Sequence, residues 1–357
     1  MLLLTGFPGF IGRRLARALL EDPQARVTVL VEPRMAAPAR AAATGLDGGE
    51  RVEILEGDIT RRRLGLGDAD YARVTAEATH VFHLAAIYDL SVPLEVAQRV
   101  NVDGTGNVLE LCADCERLER HVYVSTAYVA GDRRGVVYEH ELIFGQGFKN
   151  HYESTKAQAE VWVRQTMDRI PTVICRPAIV VGDSRTGETQ KFDGPYYLLR
   201  TISLLHRRGL AVPCMGKAEA PFNAVPVDFI VDALAAAARD ERATGHTLHL
   251  VDPEPLTGRE LTGLLSRAYA DRAPRGYLPP AALDATLRLG PVRRMLAGMP
   301  RESVVYVNHP VRFDTRQATD FLSRHAIVCP RLPDYVDALV RFFKAHEDDP
   351  AFAPKPV

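Results

Sequence analysis

Residues 1–22 read MLLLTGFPGFIGRRLARALLED, and this stretch decides the fold. A short apolar run, Leu2 to Leu4, enters a glycine-rich turn and leaves it as a helix whose apolar side includes Ile11, Leu15 and Leu19. Strand, tight turn and helix follow one another without a spare residue. Gly6, Gly9 and Gly12 have the spacing GxxGxxG, close to the GxGxxG of the standard dinucleotide fingerprint and subject to the same demands. Glycine permits a tight turn, close approach of backbone to a pyrophosphate and close helix-to-strand packing, while the helix N-terminus offers N–H groups and a positive dipole end. Gly6, Gly9, Phe10, Ile11 and Gly12 are therefore the expected phosphate-binding set, with a purely structural turn as the alternative.

Further apolar runs follow at RVTVLV, RVEIL, HVFHLA, HVYVST, TVICRP and HTLHLV, with helical patterns between several of them. Strands alternating with helices predict a parallel sheet covered on both faces, and right-handed crossovers make it doubly wound. The expected class is α/β, a Rossmann domain with a smaller, mostly helical C-terminal substrate subdomain. We assign residues 1–187 and 219–252 to the NAD(P)-binding domain, 188–218 and 253–345 to the substrate subdomain, and 346–357 to a frayed tail. Ligands of such sheets lie beyond the carboxyl ends of the strands. At those ends stand Leu84, Ala85 and Ala86, small enough to admit a cofactor, and the hydroxyls of Ser125 and Thr126.

Composition narrows the class further. A chain of 357 residues, 46% of them hydrophobic, can bury a sizeable core, and a formal net charge of −1 argues against a dedicated nucleic-acid binder. Arg61, Arg62 and Arg63 form the longest basic run and read as a solvated turn. Five cysteines and no recognisable signal peptide predict free thiols and a cytoplasmic location. Cys112 and Cys115 form a CxxC inside a helical pattern with no second pair to complete a zinc site, so no metal is expected. No apolar run reaches the roughly 18 to 20 residues of a membrane span.

TGFPGFIG, HLAA, NVDGTGNV, VSTAYVAG, YESTK and CRPAIVVG, in this order, resemble the extended short-chain dehydrogenase/reductase family over roughly the first 190 residues. FNAVPVDFIVDAL and HPVRFDTRQATDFL resemble its later segments more loosely. VSTAYVAG and the TGxPGFIG loop look most like fatty acyl-CoA reductases and the thioester reductase domains of carboxylic acid reductases and peptide synthetases, the male-sterility-type NAD(P)-binding domains. The resemblance implies a catalytic set of Thr126, Tyr152 and Lys156, with Ser125 as the other candidate hydroxyl and Asn101 supporting a proton relay. It also implies a homodimer formed through the helices that hold Asn101 and Tyr152. Chemistry agrees with the resemblance: hydride transfer to a carbonyl puts negative charge on its oxygen, which needs preorganised donors and a proton source. Lys156 lies one helical turn from Tyr152, where its ammonium, with the positive nicotinamide of the oxidised cofactor, is expected to lower the phenol's pKa, and the resemblance implies that it also holds the nicotinamide ribose.

Cofactor choice turns on VLVEPRM. Val31 stands where an acidic residue would hold the ribose of NAD, and Glu32 stands where acyl reductases carry an arginine. Arg34 and Arg13 are the candidates for a 2′-phosphate, so NADP(H) is expected, with NAD(H) the alternative. Asp58 and Ile59 after the third strand, and Pro177 and Ile179 in CRPAIVVG, complete the expected cofactor set beside Tyr152 and Lys156. GPYYLLRTISLL and AALDATLRLGPVRRMLAGM either line an acyl channel or form a helical core, and Arg207 and Arg208 either meet coenzyme A phosphates or are simply exposed. The expected reaction is reduction of an acyl thioester, on coenzyme A or on a carrier protein in trans, to aldehyde or alcohol. Alternatives are a hydrophobic 3-ketoacid or 3-hydroxysteroid substrate, then a nucleotide-sugar epimerase or a sensor that binds NADP(H) without turnover.

Overall fold

A computed structural model describes residues 1–88, 92–215, 219–279, 281–282, 285 and 309–352. Its centre is a seven-stranded sheet: β1 (Leu2–Thr5), β2 (Val27–Val31), β3 (Val52–Glu56), β4 (His80–His83), β5 (Arg120–Val124), β6 (Thr172–Pro177) and β7 (Thr247–Leu250). The spatial order is β7-β6-β5-β4-β1-β2-β3 and every pairing is parallel. Strand order reverses between β1 and β4, which opens the crevice where open α/β sheets hold their ligands.

The strands alternate between two cores. Leu4, Val29, Phe82, Val122 and Cys175 face one cluster; their neighbours Leu3, Leu30, Val81, Tyr123 and Ile174 face the other. The first cluster is covered by α1 (Phe10–Leu19), α2 (Ala36–Thr44) and, from later in the chain, Val227–Arg239. The second is covered by α3 (Asp68–Glu77), α4 and α5 (His151–Thr166). Helix α4 runs from a first turn at Leu94–Ala97 through a π-helical stretch, Gln98–Asp103, into Gly104–Asp114. Such stretches are rare and occur mostly at functional sites; this one carries Asn101.

A third cluster lies outside the sheet. Helices α6 (Tyr196–Arg207), α7 (Val227–Arg239), α8 (Gly258–Ala270), α9 (Arg316–Arg324) and α10 (Leu332–His346) complete the described helices of the C-terminal half. Of these, α6, α8 and α10 bury Leu199, Ile202, Leu261, Leu265, Val336 and Phe343 against one another. GPYYLLRTISLL thus supplies the core of the smaller subdomain, burying Tyr196, Tyr197, Leu199 and Ile202. AALDATLRLGPVRRMLAGM lies almost wholly outside the described residues.

The division of the chain differs from the sequence reading in two places. Helix α9 belongs to the nucleotide domain: Ala318, Phe321 and Leu322 enter the first sheet core, and Val311–Phe313 pairs in parallel with Gly135–Val137. The apolar face of α9 finds a ready partner in β7, so the chain returns to the sheet before α10. Nor do residues 347–352 fray. Glu347 accepts from Ser203 Oγ at 2.6 Å and from Arg207 Nη2 at 2.7 Å, and the Phe352 ring stacks on Phe192 at 5.0 Å. Arg207, also paired with Asp348, is thereby committed to fastening the end of α6.

Candidate active site

The turn after β1 is built by crowding. Gly6 has φ +87°, and a Cβ there would stand 3.0 Å from the backbone of Leu84 and Ala85. A Cβ on Gly9 or Gly12 would meet the Gly6 carbonyl oxygen at 2.7 or 2.5 Å, so all three positions require glycine. Thr5 Oγ1 accepts from the N–H groups of Leu84 and Ala85, at 3.2 and 3.1 Å, locking the ends of β1 and β4 together at the switch point. Helix α1 begins at Phe10 with no side-chain cap and no acidic residue in its first turn. Its first N–H groups and dipole are therefore left to an anion. This loop fits the pyrophosphate of a dinucleotide, with Gly6, Gly9, Phe10, Ile11 and Gly12 as its frame.

The candidate catalytic side chains come from the ends of β4 and β5 and from the helices α4 and α5. Thr126 is nearly fully buried and caps the short turn Ala127–Ala130, its Oγ1 accepting from Tyr128 N at 3.2 Å. That leaves its proton free to donate. The Tyr152 phenol, from the first turn of α5, is close enough to Thr126 for that hydroxyl to favour its ionised form. Asn150 caps the same helix, accepting from Glu153 N at 2.9 Å, and so fixes where Tyr152 emerges. Lys156 is 2% exposed; its Nζ donates to Val124 O at 2.7 Å and lies 4.4 Å from the centre of the Tyr123 ring. Asn101 Oδ1 accepts from Ile87 N at 2.9 Å, and its Nδ2 donates to Thr155 Oγ1 at 3.1 Å, joining the segment after β4 to α5 beside Lys156.

Burial pushes the Tyr152 phenol above its ordinary pKa, and the neighbouring Thr126 hydroxyl partly opposes this. The Lys156 ammonium is bonded to the strand carbonyl of Val124. Burial also draws Lys156 down to about 7, against the pull of Glu160. Ser125 is removed as the alternative hydroxyl, because its Oγ donates to Glu160 Oε2 at 2.6 Å, away from Tyr152.

The remaining cofactor candidates line the same edge of the sheet. Ala86 follows Leu84 and Ala85 there, and Pro177 ends β6. Ile179 opens the short strand Ile179–Val181, paired with Ala224–Pro226. Asp58 Oδ1 accepts from Thr60 N and Oγ1, and Ile59 packs on Gly104 of α4. Arg34 is paired with Glu32, and Arg13 with Glu188 at 3.0 Å. Cys112 and Cys115 are free thiols, and among the described residues no group of three His, Cys, Asp or Glu side chains could hold a metal.

Several residues of the site went unread in the sequence. Tyr88 meets the Tyr152 ring edge-on at 5.1 Å. Glu160 binds the fully buried Arg176 of β6. Two signals were available: Glu160 repeats the four-residue spacing of Tyr152 and Lys156, and Arg176 is a lone charge in an otherwise apolar strand.

The doubly wound sheet, the glycine loop and this cluster define an NAD(P)-dependent oxidoreductase of the extended short-chain dehydrogenase/reductase type. Within that class the chain belongs to the Male sterility protein family of NAD-binding domains, whose pattern matches residues 4–234. It is 29% identical over 349 residues to the non-canonical nonribosomal peptide synthetase FrzA of Cladobotryum sp, an alignment covering 88% of this chain and 33% of that protein. It is 25% identical over 280 residues to the fatty acyl-CoA reductase wat of Drosophila melanogaster, covering 66% of this chain and 53% of the other. The chain thus spans a third to about half the length of these relatives. Among solved structures, the terminal R domain from the myxalamid PKS-NRPS biosynthetic pathway superposes with a TM-score of 0.80 at 25% identity, covering 99% of this chain and 92% of that one. No described helix is long and apolar enough to cross a membrane.

Proposed function

We propose that this chain reduces an acyl thioester, carried on coenzyme A or a carrier protein, to the aldehyde, with Thr126 and Tyr152 acting on the carbonyl oxygen and NADP(H) as cofactor. The observation that carries the reading is the placing of two neighbouring hydroxyls, Thr126 and a Tyr152 whose pKa is raised by burial, on the elements that also bury Lys156. Relatives named as a peptide synthetase and a fatty acyl-CoA reductase support the thioester class.

When bound, the nicotinamide supplies the hydride. Addition to the thioester carbon gives a hemithioacetal whose oxygen carries the developing charge. Thr126 Oγ1, already accepting from Tyr128 N, donates its proton toward that oxygen. Tyr152, kept as the neutral phenol by burial, donates as well, which is the role reduction demands. Collapse breaks the C–S bond, expels the thiolate, which takes up a proton, and releases the aldehyde. Gly6, Gly9 and Gly12 with the start of α1 would hold the pyrophosphate, and Lys156 the nicotinamide ribose.

The test follows nucleotide oxidation by purified protein with a long-chain acyl-CoA or a 3-keto acid, with products identified by mass spectrometry. Aldehyde or alcohol from the acyl-CoA supports the reading; hydroxy acid from the keto acid alone moves the substrate to the carbonyl class. Tyr152→Phe should abolish turnover while leaving cofactor affinity nearly intact. Preserved turnover would remove Tyr152 as the acid.

A further inference from the structure

The polar cluster behind the reacting hydroxyls takes no part in the reaction just described. Ser125, between Val124, whose carbonyl holds Lys156, and the candidate hydroxyl of Thr126, turns its own hydroxyl onto Glu160. Glu160 is completely buried, one turn beyond Lys156 on α5. Arg176 grips it with Nη2 on Oε1 at 2.6 Å and Nε on Oε2 at 3.0 Å, and Arg164 Nε reaches Oε1 at 3.0 Å. Arg176 is itself fully buried; its Nη2 donates to Glu141 O at 2.8 Å and its Nη1 faces His249 Nε2 at 3.0 Å. His249 Nδ1 lies 2.7 Å from the carbonyl of Asp314 and must donate to it, so Nε2 is the acceptor and the ring is neutral. The cluster therefore holds one carboxylate between two guanidiniums.

Fold stability alone is a weak account of such an arrangement, because well-packed apolar side chains often replace a buried ion pair at no loss. Its geometry aims at the reactive groups. We propose that Glu160 is a positioning residue of the reaction: through Ser125 it fixes the strand end that presents the Val124 carbonyl and the Thr126 hydroxyl, and along α5 it supplies the counter-charge of the Lys156 ammonium. The proposal rests on reading Thr126, Tyr152 and Lys156 as the reacting set.

The surroundings of Lys156 make the second part specific. Tyr152 and Glu160 face it from its own helix, Tyr123 from β5 and His83 from β4. Burial keeps both tyrosines neutral, and burial together with the lysine's own charge keeps His83 neutral. Among the described residues Glu160 is the one charge that raises the Lys156 pKa against burial. An ammonium is present below its pKa and lost as pH rises through it. Removing the carboxylate lowers that pKa, so the lysine loses its proton at a more acid pH.

The experiment measures kcat and KM from acid to alkaline pH for the wild type, Glu160→Gln, Ser125→Ala and Tyr152→Phe, with circular dichroism and NADPH titration reporting fold and cofactor binding. In Glu160→Gln the high-pH limb of kcat/KM should move about one unit toward acid, and kcat at neutral pH should fall about tenfold or more while KM changes little. Ser125→Ala should lower kcat several-fold without moving the limb, since the carboxylate remains. A folded Glu160→Gln with the wild-type limb and kcat overturns the proposal. If that variant does not fold, the neutral pair Glu160→Gln with Arg176→Gln should show the same acid shift, and a wild-type limb there overturns it equally. A Ser125→Ala with full kcat refutes the positioning of the strand end. An active Tyr152→Phe instead sinks the underlying reading of the site, which separates the two failures.

Discussion

At the end of β2 two charges close on each other: Arg34 Nε donates to Glu32 Oε2 at 2.6 Å and Nη2 to Oε1 at 3.2 Å, both side chains lying at the surface. The carboxylate raises the guanidinium's pKa further, so the arginine is a permanent cation with an anion in its fork. An exposed pair of this kind contributes little to stability and exchanges partners readily. A 2′-phosphate would compete with Glu32 for the same donors and would be repelled by it. Glu32→Ala should therefore tighten NADPH about tenfold with NADH little changed or weakened, and Arg34→Ala should weaken NADPH by a similar factor at unchanged NADH affinity. Fluorescence titration with both nucleotides decides it; equal responses to both would take Arg34 out of the cofactor site.

Helix α1 shows how much of an element can depend on one missing carbon. A Cβ on Gly12 would fall 2.5 Å from the Gly6 oxygen, 2.9 Å from its carbonyl carbon and 3.2 Å from Phe7 N, all backbone atoms that cannot swing aside. Gly12→Ala should cost about 1–3 kcal/mol of stability and tilt the start of α1 away from the loop. Thermal melts should register the first effect, and a loss of nucleotide affinity larger than the change in melting predicts should register the second. Unaltered affinity would show that the loop does not carry the pyrophosphate. This element was legible because its demands are local: glycine spacing, strand pattern and helix pattern all fall within the first 22 residues. The strands were legible for the same reason, most of them apolar runs buried on both faces, with the edge strand β3 half-exposed. What escaped depends on partners far apart in the chain. Ser125 follows β5, Glu160 lies on α5, Arg176 on β6 and His249 on β7, and no period in the sequence joins them. Helix α9 escaped likewise, since its apolar stripe would fit either core and only the pairing of Val311–Phe313 with Gly135–Val137 settles which.

On the scale of the whole molecule, the sheet buries histidine where apolar residues would be expected. His83, His121 and His249 are each at most 1% exposed, and all are held neutral by burial, His121 and His249 with pKa values drawn down to about 3. In the unfolded chain each titrates near its ordinary value of about 6.5. Between these values the unfolded state binds protons that the folded state refuses, so stability is full above about pH 6.5 and falls as pH drops below it. Each histidine contributes about 1.4 kcal/mol for every pH unit, and three together about 4 kcal/mol, against a total stability on the order of 5–15 kcal/mol. Acid unfolding should therefore begin in the histidine range, well before the Glu160 carboxylate, held at about 2, takes up its proton. His121 offers the cleanest test. Its Nδ1 meets Thr172 Oγ1 at 3.1 Å, but its buried Nε2 has no partner. His121→Leu should leave stability at neutral pH nearly unchanged, because an unsatisfied polar atom is removed along with one hydrogen bond. Urea melts at a series of pH values between neutral and moderately acid should then show a stability slope reduced by one proton; a slope equal to that of the wild type would mean that His121 is protonated within the fold.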